Sequence, residues 1–597
     1  MAASIHIVPK EIQDTFTLEQ KEYLSGFLLA VAKRGETFFA GHTANGLITA
    51  DAASGAANLA APSQEEAYFG TPVEDLCKEE RWKYEENPLD IWEKILAHAR
   101  ENRFPEAGDV FRFKFHGLFY VAPAQDSFML RLRTPGSILT SHQMRGLAEM
   151  AEDWGAGEAD ITTRSNIQIR QFQPKDIVRV LTKVQSLGMN SRGTGADNIR
   201  NITATPTSGL DSHELIDVAP LAQALNFYIL NSRDLYGLPR KFNVAFDSGG
   251  RVSVVADTND IAFVATRVLP GRSVPEGVYF RVQLCGITGH RQFATDCGLL
   301  LMPEQAIAVA AAMIRVFNEN GDRMDRKRAR LKYLIDDWGV DKFLDEAEKR
   351  LAFPLLRSPL AECEPRGPVD PSGHLGAHPQ RQQGLFYLGV AVPVGRLSVA
   401  QMRAIADIAD EYGSREIRLT VWQNLILPNI SGARLEAARN ALAAAGLSDS
   451  AGTFAAAAIA CTGNKGCRFS ATDTKSHAVQ LAQYLDDRFV IEQPLNLHVT
   501  GCPHSCAQHY IGDIGLLGTK AGGEEGYQVL VGGGSDDRQG LGRELISAIR
   551  FADLPLVMEK LFSAYTAKRL EGESFLDYTR RHEIEELKAQ ISTQEQA

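Results

Sequence analysis

"QMRGLAEMAEDWG", residues 143 to 155, returns as "QMRAIADIADEYG" at residues 401 to 413. The offset is 258 residues, with six of the thirteen positions identical and the other seven conservative. Apolar residues recur at helical spacing, so that Met144, Leu147, Ala148 and Ala151 share one face. Thr140 with Gln143, and Ser398 with Gln401, have capping-box spacing at the helix start, and Gly155 and Gly413 mark its end. The same register lays Pro135 on Pro393 and "ITTRSNIQI" (161–169) on "LTVWQNLIL" (419–427). Two unrelated amphipathic helices would not also share a proline and flanking strands. The chain is therefore read as a duplication, each copy holding a β–α–β unit.

The chain has 597 residues, more than the roughly 250–300 that one core accommodates. Apolar residues make up 44% and charged residues 23%, an ordinary globular composition. A net charge of −11 argues against a general nucleic-acid or anionic-membrane binder. No apolar run approaches the length of about 18 residues that spans a bilayer. The start, "MAASIHIVPKEIQD", lacks the order of a secretory signal. The reducing cytoplasm is the expected location, where cysteines more often bind metals or catalyse than form disulfides. Residues 50–66 read as a flexible segment, 354–383 as a Pro- and Gly-rich linker, and 586–597 as a frayed tail.

Extending the 258 offset places "RNITATPTSG" (200–209) on "AIACTGNKGC" (458–467). Thr203 and Gly209 stand where the second copy has Cys461 and Cys467, so one copy alone carries thiols. "CTGNKGC" (461–467) and "GCPHSC" (501–506) together hold four of the eight cysteines, spaced C-x5-C, thirty-four residues, C-x3-C. Zinc knuckles favour tighter pairs. Each pair lies in a glycine-bearing loop whose amides can turn toward a bound anion, and four thiolates suit an iron–sulfur cluster. On spacing alone a zinc site or redox thiols stay open. Cys77, Cys285, Cys297 and Cys363 are scattered and read as buried or incidental.

"CTGNKGC" with "TGCPHSC" resembles the signature of the assimilatory nitrite and sulfite reductase family, and the resemblance runs from about residue 108 to "ESFLDYTRRH" (573–582). It implies an α+β fold of two pseudo-twofold halves, each a ferredoxin-like half-domain followed by a sirohaem/Fe–S-type α+β domain. The implied layout is an N-terminal extension (1–107), half-domain one (108–175), a sirohaem-binding domain (176–353) and the linker (354–383). Half-domain two (384–440) and an Fe–S/sirohaem domain (441–597) follow. Cys461, Cys467, Cys502 and Cys506 would ligate a [4Fe–4S] cluster, with Cys506 also bridging to the sirohaem iron. The implied reaction is six-electron reduction of nitrite to ammonium, fed by reduced ferredoxin or a similar one-electron donor. A monomer without nucleic-acid or membrane partners is expected.

The basic residues point the same way. In "TTRSNIQIR" (162–170), Arg164, Asn166, Gln168 and Arg170 alternate as on one strand face, as do Arg131 and Arg133 in "FMLRLRTPG" (128–136). A solvated strand face is the plain alternative. However, the second copy has Gly389 and Trp422 in place of Arg131 and Arg164. One copy brings cations and the other thiols, as a cofactor lodged between them would need. The resemblance gives Arg131, Arg164, Lys241 and Asn243 to the substrate, the last two from "LPRKFNVAF" (238–246). Arg133, Asn166, Gln168, Arg170, Arg200, Asn201, Arg240 and Asn464 are the expected cofactor contacts. Lys-x-Asn marks nitrite-reducing relatives and Lys-x-Lys sulfite-reducing ones; an extra lysine suits the dianion sulfite. Sulfite reduction on this scaffold, or a non-catalytic Fe–S or zinc protein, are the alternatives. "VGGGSDD" (531–537) lacks the full dinucleotide fingerprint. "DRMDRKRARLKY" (322–333) reads as a structural helix with a solvated face rather than a docking patch for the donor.

Overall fold

The duplicated segment folds as its caps and apolar stripe dictate. The helices Ser141–Asp153 and Val399–Glu411 each begin with a complete capping box, from Thr140 with Gln143 and from Ser398 with Gln401. The computed structural model describes residues 67–450, 452–490 and 492–592, and in it these two helices pack on each other. Arg145 reaches Asp410 at 2.6 Å and Arg403 pairs with Glu152. Each pair is the other's image at the 258 offset. Both are largely exposed and so contribute little stability, but they record the pseudo-twofold axis. Gly155 and Gly413 do not serve as left-handed caps. A Cβ there would stand 3.1 Å from the Arg170 carbonyl oxygen and 2.9 Å from that of Pro428, again equivalent positions.

The two copies are interlocked. Each builds an antiparallel five-stranded sheet yet lends its partner the strand that precedes the helix. Ile138–Thr140 of the first copy pairs with Glu416–Leu419 of the second, and Arg396–Ser398 of the second pairs with Glu158–Ile161 of the first. One apolar core results, in which Leu130, Met144, Leu147 and Ile169 lie with Leu388, Met402, Ile405 and Leu427.

Two further five-stranded sheets share one topology. In the first, Thr203–Ala204, Val244–Asp247 and Ile261–Val268 run parallel, followed by antiparallel Gly277–Leu284 and Thr295–Leu301. In the second, parallel Ala458–Ala460, Leu497–Thr500 and Ile514–Ala521 precede antiparallel Glu524–Val531 and Arg543–Arg550. Ala306–Asn320 packs into the first of these cores and Leu554–Lys568 into the second. The fold class is α+β.

The ends of the expected segments differ from the sequence reading. The segment 50–66 lies outside the described residues. Residues from 67 onward are bolted to the first copy: buried Glu80 pairs with Arg323 at 2.6 Å, and buried Lys83 with Asp197 at 3.7 Å. The linker contributes the edge strand Gly376–Pro379. Ile584–Ser592 is helical with Leu587 buried, so the tail does not fray from residue 586. Among the described residues no helix is long and apolar enough to cross a membrane.

Candidate functional site

The cysteine loops meet because their strands are parallel neighbours. Ala460 pairs with Val499, so both strands end on the same side, and Cys461 and Cys502 follow within three residues. The Cys461 amide donates to the Val499 carbonyl (3.0 Å), and the Gly501 amide points at Cys461 Sγ (3.3 Å). Gly463 takes φ +76°, which turns the first loop back on itself. Cys461, Cys467 and Cys506 all lie within electrostatic reach of Cys502, whose thiol burial pushes up to about 12. None of the four is in a disulfide. Among the described residues no three His, Cys, Asp or Glu side chains close in as the ligands of a single ion would.

The first copy supplies a cation wall against this loop. The Thr163 hydroxyl donates to the Cys506 carbonyl (2.9 Å), which joins the Arg164 turn directly to the last cysteine. Burial pulls Arg131 down to about 10, with Cys506 opposing and Arg170 adding to the shift. Arg164 likewise stands at about 10 through burial, with Asp260, Arg330 and Arg131 as its charged neighbours. Lys241 is drawn down to about 7, first by burial and then by Arg330, with Cys506 opposing and Arg200 and Arg240 adding to it. Arg200 is held well below its ordinary value by burial, Arg131, Arg240 and Arg164, with Asp197 opposing. Arg131 and Lys241 thus lie within electrostatic reach of Cys506, with Arg164, Arg200 and Arg240 among the charges around them. Asn243 flanks the same stretch, on the other side of buried Phe242.

Several of the residues expected at the cofactors also bond within the protein. Arg133 is 2% exposed and donates to the carbonyls of Arg192 (2.6 Å) and Ile199 (2.7 Å). Asn166 donates to the Leu132 carbonyl (2.8 Å). Asn201 staples Thr134 by accepting from its amide (2.8 Å) and donating to its carbonyl (3.1 Å). Gln168 accepts from Arg170 (3.1 Å), and Asn464 donates to Glu525 (2.6 Å). Arg170 reaches across to the first cysteine loop, donating to Thr462 Oγ1 (2.8 Å) and the Gly466 carbonyl (3.3 Å). Arg240 faces Asp197 at 3.7 Å. Arg164 and Asn166 do not alternate on a strand either. The strand starts at Ile167, and Thr162 to Asn166 form the preceding turn, with Ser165 at φ +50°.

Sequence reading also missed residues that hold the wall. The basic run 322–333 is neither a helix through most of its length nor a solvated face. Arg323, Arg326 and Arg330 turn inward onto Glu80, Asp197 and Asp260. Asp260 accepts the Asn243 backbone N–H (2.8 Å), and Asn259 accepts from Arg164 (3.0 Å). Lys114, with Arg468 and Arg200 among its charged neighbours, lies near this wall too.

The wall has unmet bonding capacity. Buried Nε of Arg131, Nε of Arg164, one terminal nitrogen of Arg200 and Oδ1 of Asn243 have no hydrogen-bond partner among the described residues. Such orphans are costly unless a ligand meets them. Grouped cations with unused donors facing grouped thiols fit a polycarboxylate iron macrocycle beside an iron–sulfur cluster.

The family model described as "Nitrite and sulphite reductase 4Fe-4S domain" matches residues 195–355 and 451–597. That described as "Nitrite/Sulfite reductase ferredoxin-like half domain" matches 121–187 and 378–445. The ferredoxin–nitrite reductase of Synechococcus elongatus is 34% identical over 82% of this chain and 96% of its own length. The assimilatory ferredoxin-dependent nitrite reductase of Haloferax mediterranei is 31% identical over 83% of this chain and 90% of its own. The solved structure of the Mycobacterium tuberculosis NirA protein superposes with a TM-score of 0.78 at 27% identity, covering 86% of this chain and 97% of that one.

Proposed function

The chain belongs to the nitrite and sulphite reductase family, and on that premise we propose that it reduces nitrite to ammonium with electrons from reduced ferredoxin. The observation that carries this reading is the join between Arg164's turn and Cys506, which sets a wall of cations from one copy against the thiols of the other. Cys461, Cys467, Cys502 and Cys506 would hold the [4Fe–4S] cluster, and Arg131, Arg200 and Arg240 would meet the sirohaem carboxylates. When bound, these groups supply the iron that takes the substrate nitrogen and the path by which electrons reach it.

The protein's own residues do the rest. Arg131 and Arg164 lower the cost of bringing an anion out of water and stabilise charge that develops on its oxygens. Lys241 adds a third charge and a proton. The Asn243 side chain offers a neutral amide where a second lysine would favour a dianion. The enzyme acts in the cytoplasm as a monomer.

Lys241 makes a pH prediction. A group drawn down to about 7 by burial and Arg330 is half-protonated near neutrality, as a proton donor should be. The kcat/KM for nitrite should therefore fall as pH rises through about 7. Lys241→Arg keeps the charge at every pH and should flatten that limb while costing about 10²-fold in rate. Steady-state kinetics from pH 6 to pH 9 check it; an unchanged profile in the variant removes Lys241 from proton transfer.

The function itself is tested on the purified protein. Expected are a haem Soret band with a charge-transfer band in the red, and faster turnover of nitrite than of sulfite with viologen as donor. A colourless protein, or a higher kcat/KM for sulfite, overturns the proposal.

A further inference from the structure

The turn Asp257–Asp260 connects more of the site than any segment the sequence singled out. Asp257 accepts the Asp536 amide (3.0 Å) and the Gln539 amide (2.8 Å), both from the second copy. Thr258 accepts from Gln508 (3.0 Å), just past the last cysteine. Asn259 accepts from Arg164 (3.0 Å). Asp260 accepts the Asn243 amide (2.8 Å) and is clamped by Arg330, whose Nη2 lies 2.7 Å from Oδ2 and whose Nε lies 3.1 Å from Oδ1. Arg164 is a further charged neighbour of Asp260.

The duplication separates what Asp260 does for folding from what its charge does. In the second copy Asp513 accepts the Asn496 amide (2.8 Å). Asp513 minus Asp260 and Asn496 minus Asn243 are both 253, and both acids immediately precede the third parallel strand of their sheets. The amide contact is thus shared architecture. The arginine clamp is not: burial pushes Asp513 up to about 7, with Arg538 and Arg580 only partly opposing it, and no salt bridge to it is formed among the described residues. The first copy alone sets a buried arginine, 5% exposed, against this acid, next to the Lys241–Asn243 stretch.

Resting on the nitrite reading above, we propose that the Asp260–Arg330 pair is a specificity device, in which the Asp260 carboxylate selects a singly charged substrate anion over a doubly charged one. The fixed negative charge repels a dianion about twice as strongly as a monoanion, and Arg330 cancels enough of it for either to enter. The pair does not touch substrate. It acts through the field and through the placement of Asn243 and Arg164. Arg164, Lys241, Arg131 and Arg200 supply the positive side of the balance.

The two members predict opposite signs. Asp260→Asn keeps an acceptor for the Asn243 amide and deletes the charge. The ratio of sulfite Kd to nitrite Kd, read from absorption changes of the resting holoenzyme, should fall about tenfold. Arg330→Gln leaves the acid uncompensated, and the same ratio should rise by a similar factor. The double variant Asp260→Asn/Arg330→Gln should return to within about threefold of wild type. Shifts of one sign in both single variants, or none in either, overturn the proposal. If Asp260→Asn does not fold, Arg330→Gln alone still decides by the sign of its shift. A wild-type holoenzyme that neither binds nor turns over nitrite would instead overturn the function proposed above.

Discussion

A Cys461→Ala chain should fold, carry no iron–sulfur cluster and reduce no nitrite. Cys461 leaves the strand Ala458–Ala460 at the point where the neighbouring parallel strand delivers Gly501 and Cys502, and the Gly501 amide is already aimed at its sulfur at 3.3 Å. Removing one thiol leaves three sulfurs, Cys467, Cys502 and Cys506, where four ligands are needed. The interlocked core that sets the fold, built on residues such as Met144, Leu147, Met402 and Ile405, does not include Cys461. Iron and sulfide content, circular dichroism and the viologen-coupled rate measure the three parts of this expectation. Cys363→Ala is the control. That cysteine is buried among Val268, Tyr279 and Leu300, so its loss should cost some stability and leave turnover intact. A Cys461→Ala protein with normal iron content and rate would strike Cys461 from the ligand set.

The second large effect is on stability. Asp160 is 4% exposed and sits among three cations: Arg396 at 3.0 Å, Lys475 at 3.4 Å and Arg170 at 3.6 Å. Burial pushes its carboxyl up, but Lys475, Arg396 and Arg170 outweigh that and hold it at about 2. Asp160→Asn strands buried positive charge and should cost about 3–5 kcal/mol at pH 7. The sign with pH follows from the depressed value. An unfolded Asp titrates near about 3.9, so the folded-state advantage is complete above that value and is lost as pH falls toward 2. Denaturant titrations at pH 7 and pH 3 should show the gap between wild type and variant narrowing in acid. The same change should also lower cluster content, since Arg170 holds the first cysteine loop through Thr462 and Gly466. A loss below about 1 kcal/mol at pH 7 would mean the cations find other partners.

Much of the site was legible because duplication makes differences visible. Cys461 against Thr203, and Arg131 against Gly389, are contrasts a single copy would never offer. In the structure Gly389 packs so closely on the His374 carbonyl that a Cβ would lie 2.2 Å from it, while Trp422, in Arg164's place, stacks on His374. Those positions in the second copy are filled by packing and leave no room for a cation. What the sequence could not convey is how a polar side chain spends its hydrogen bonds. Arg133 and Arg131 look alike two residues apart, yet one is saturated by carbonyls and the other keeps a nitrogen unmet. Asp260 and Arg330 are seventy residues apart and have no shared pattern to connect them. Nor could the strand loan be read: "ILT" and "RLS" are three residues each and would suit either sheet.

That loan has a consequence for how the polypeptide is made. Glu158–Ile161 gains its outer neighbour only when Arg396–Ser398 has been synthesised, more than 230 residues later. Until then the nascent chain on the ribosome presents an unpaired β edge, the kind of surface that recruits foreign strands. Neither half could be cut out and expressed alone without leaving that edge bare, so what gene duplication once doubled is now obliged to mature as one.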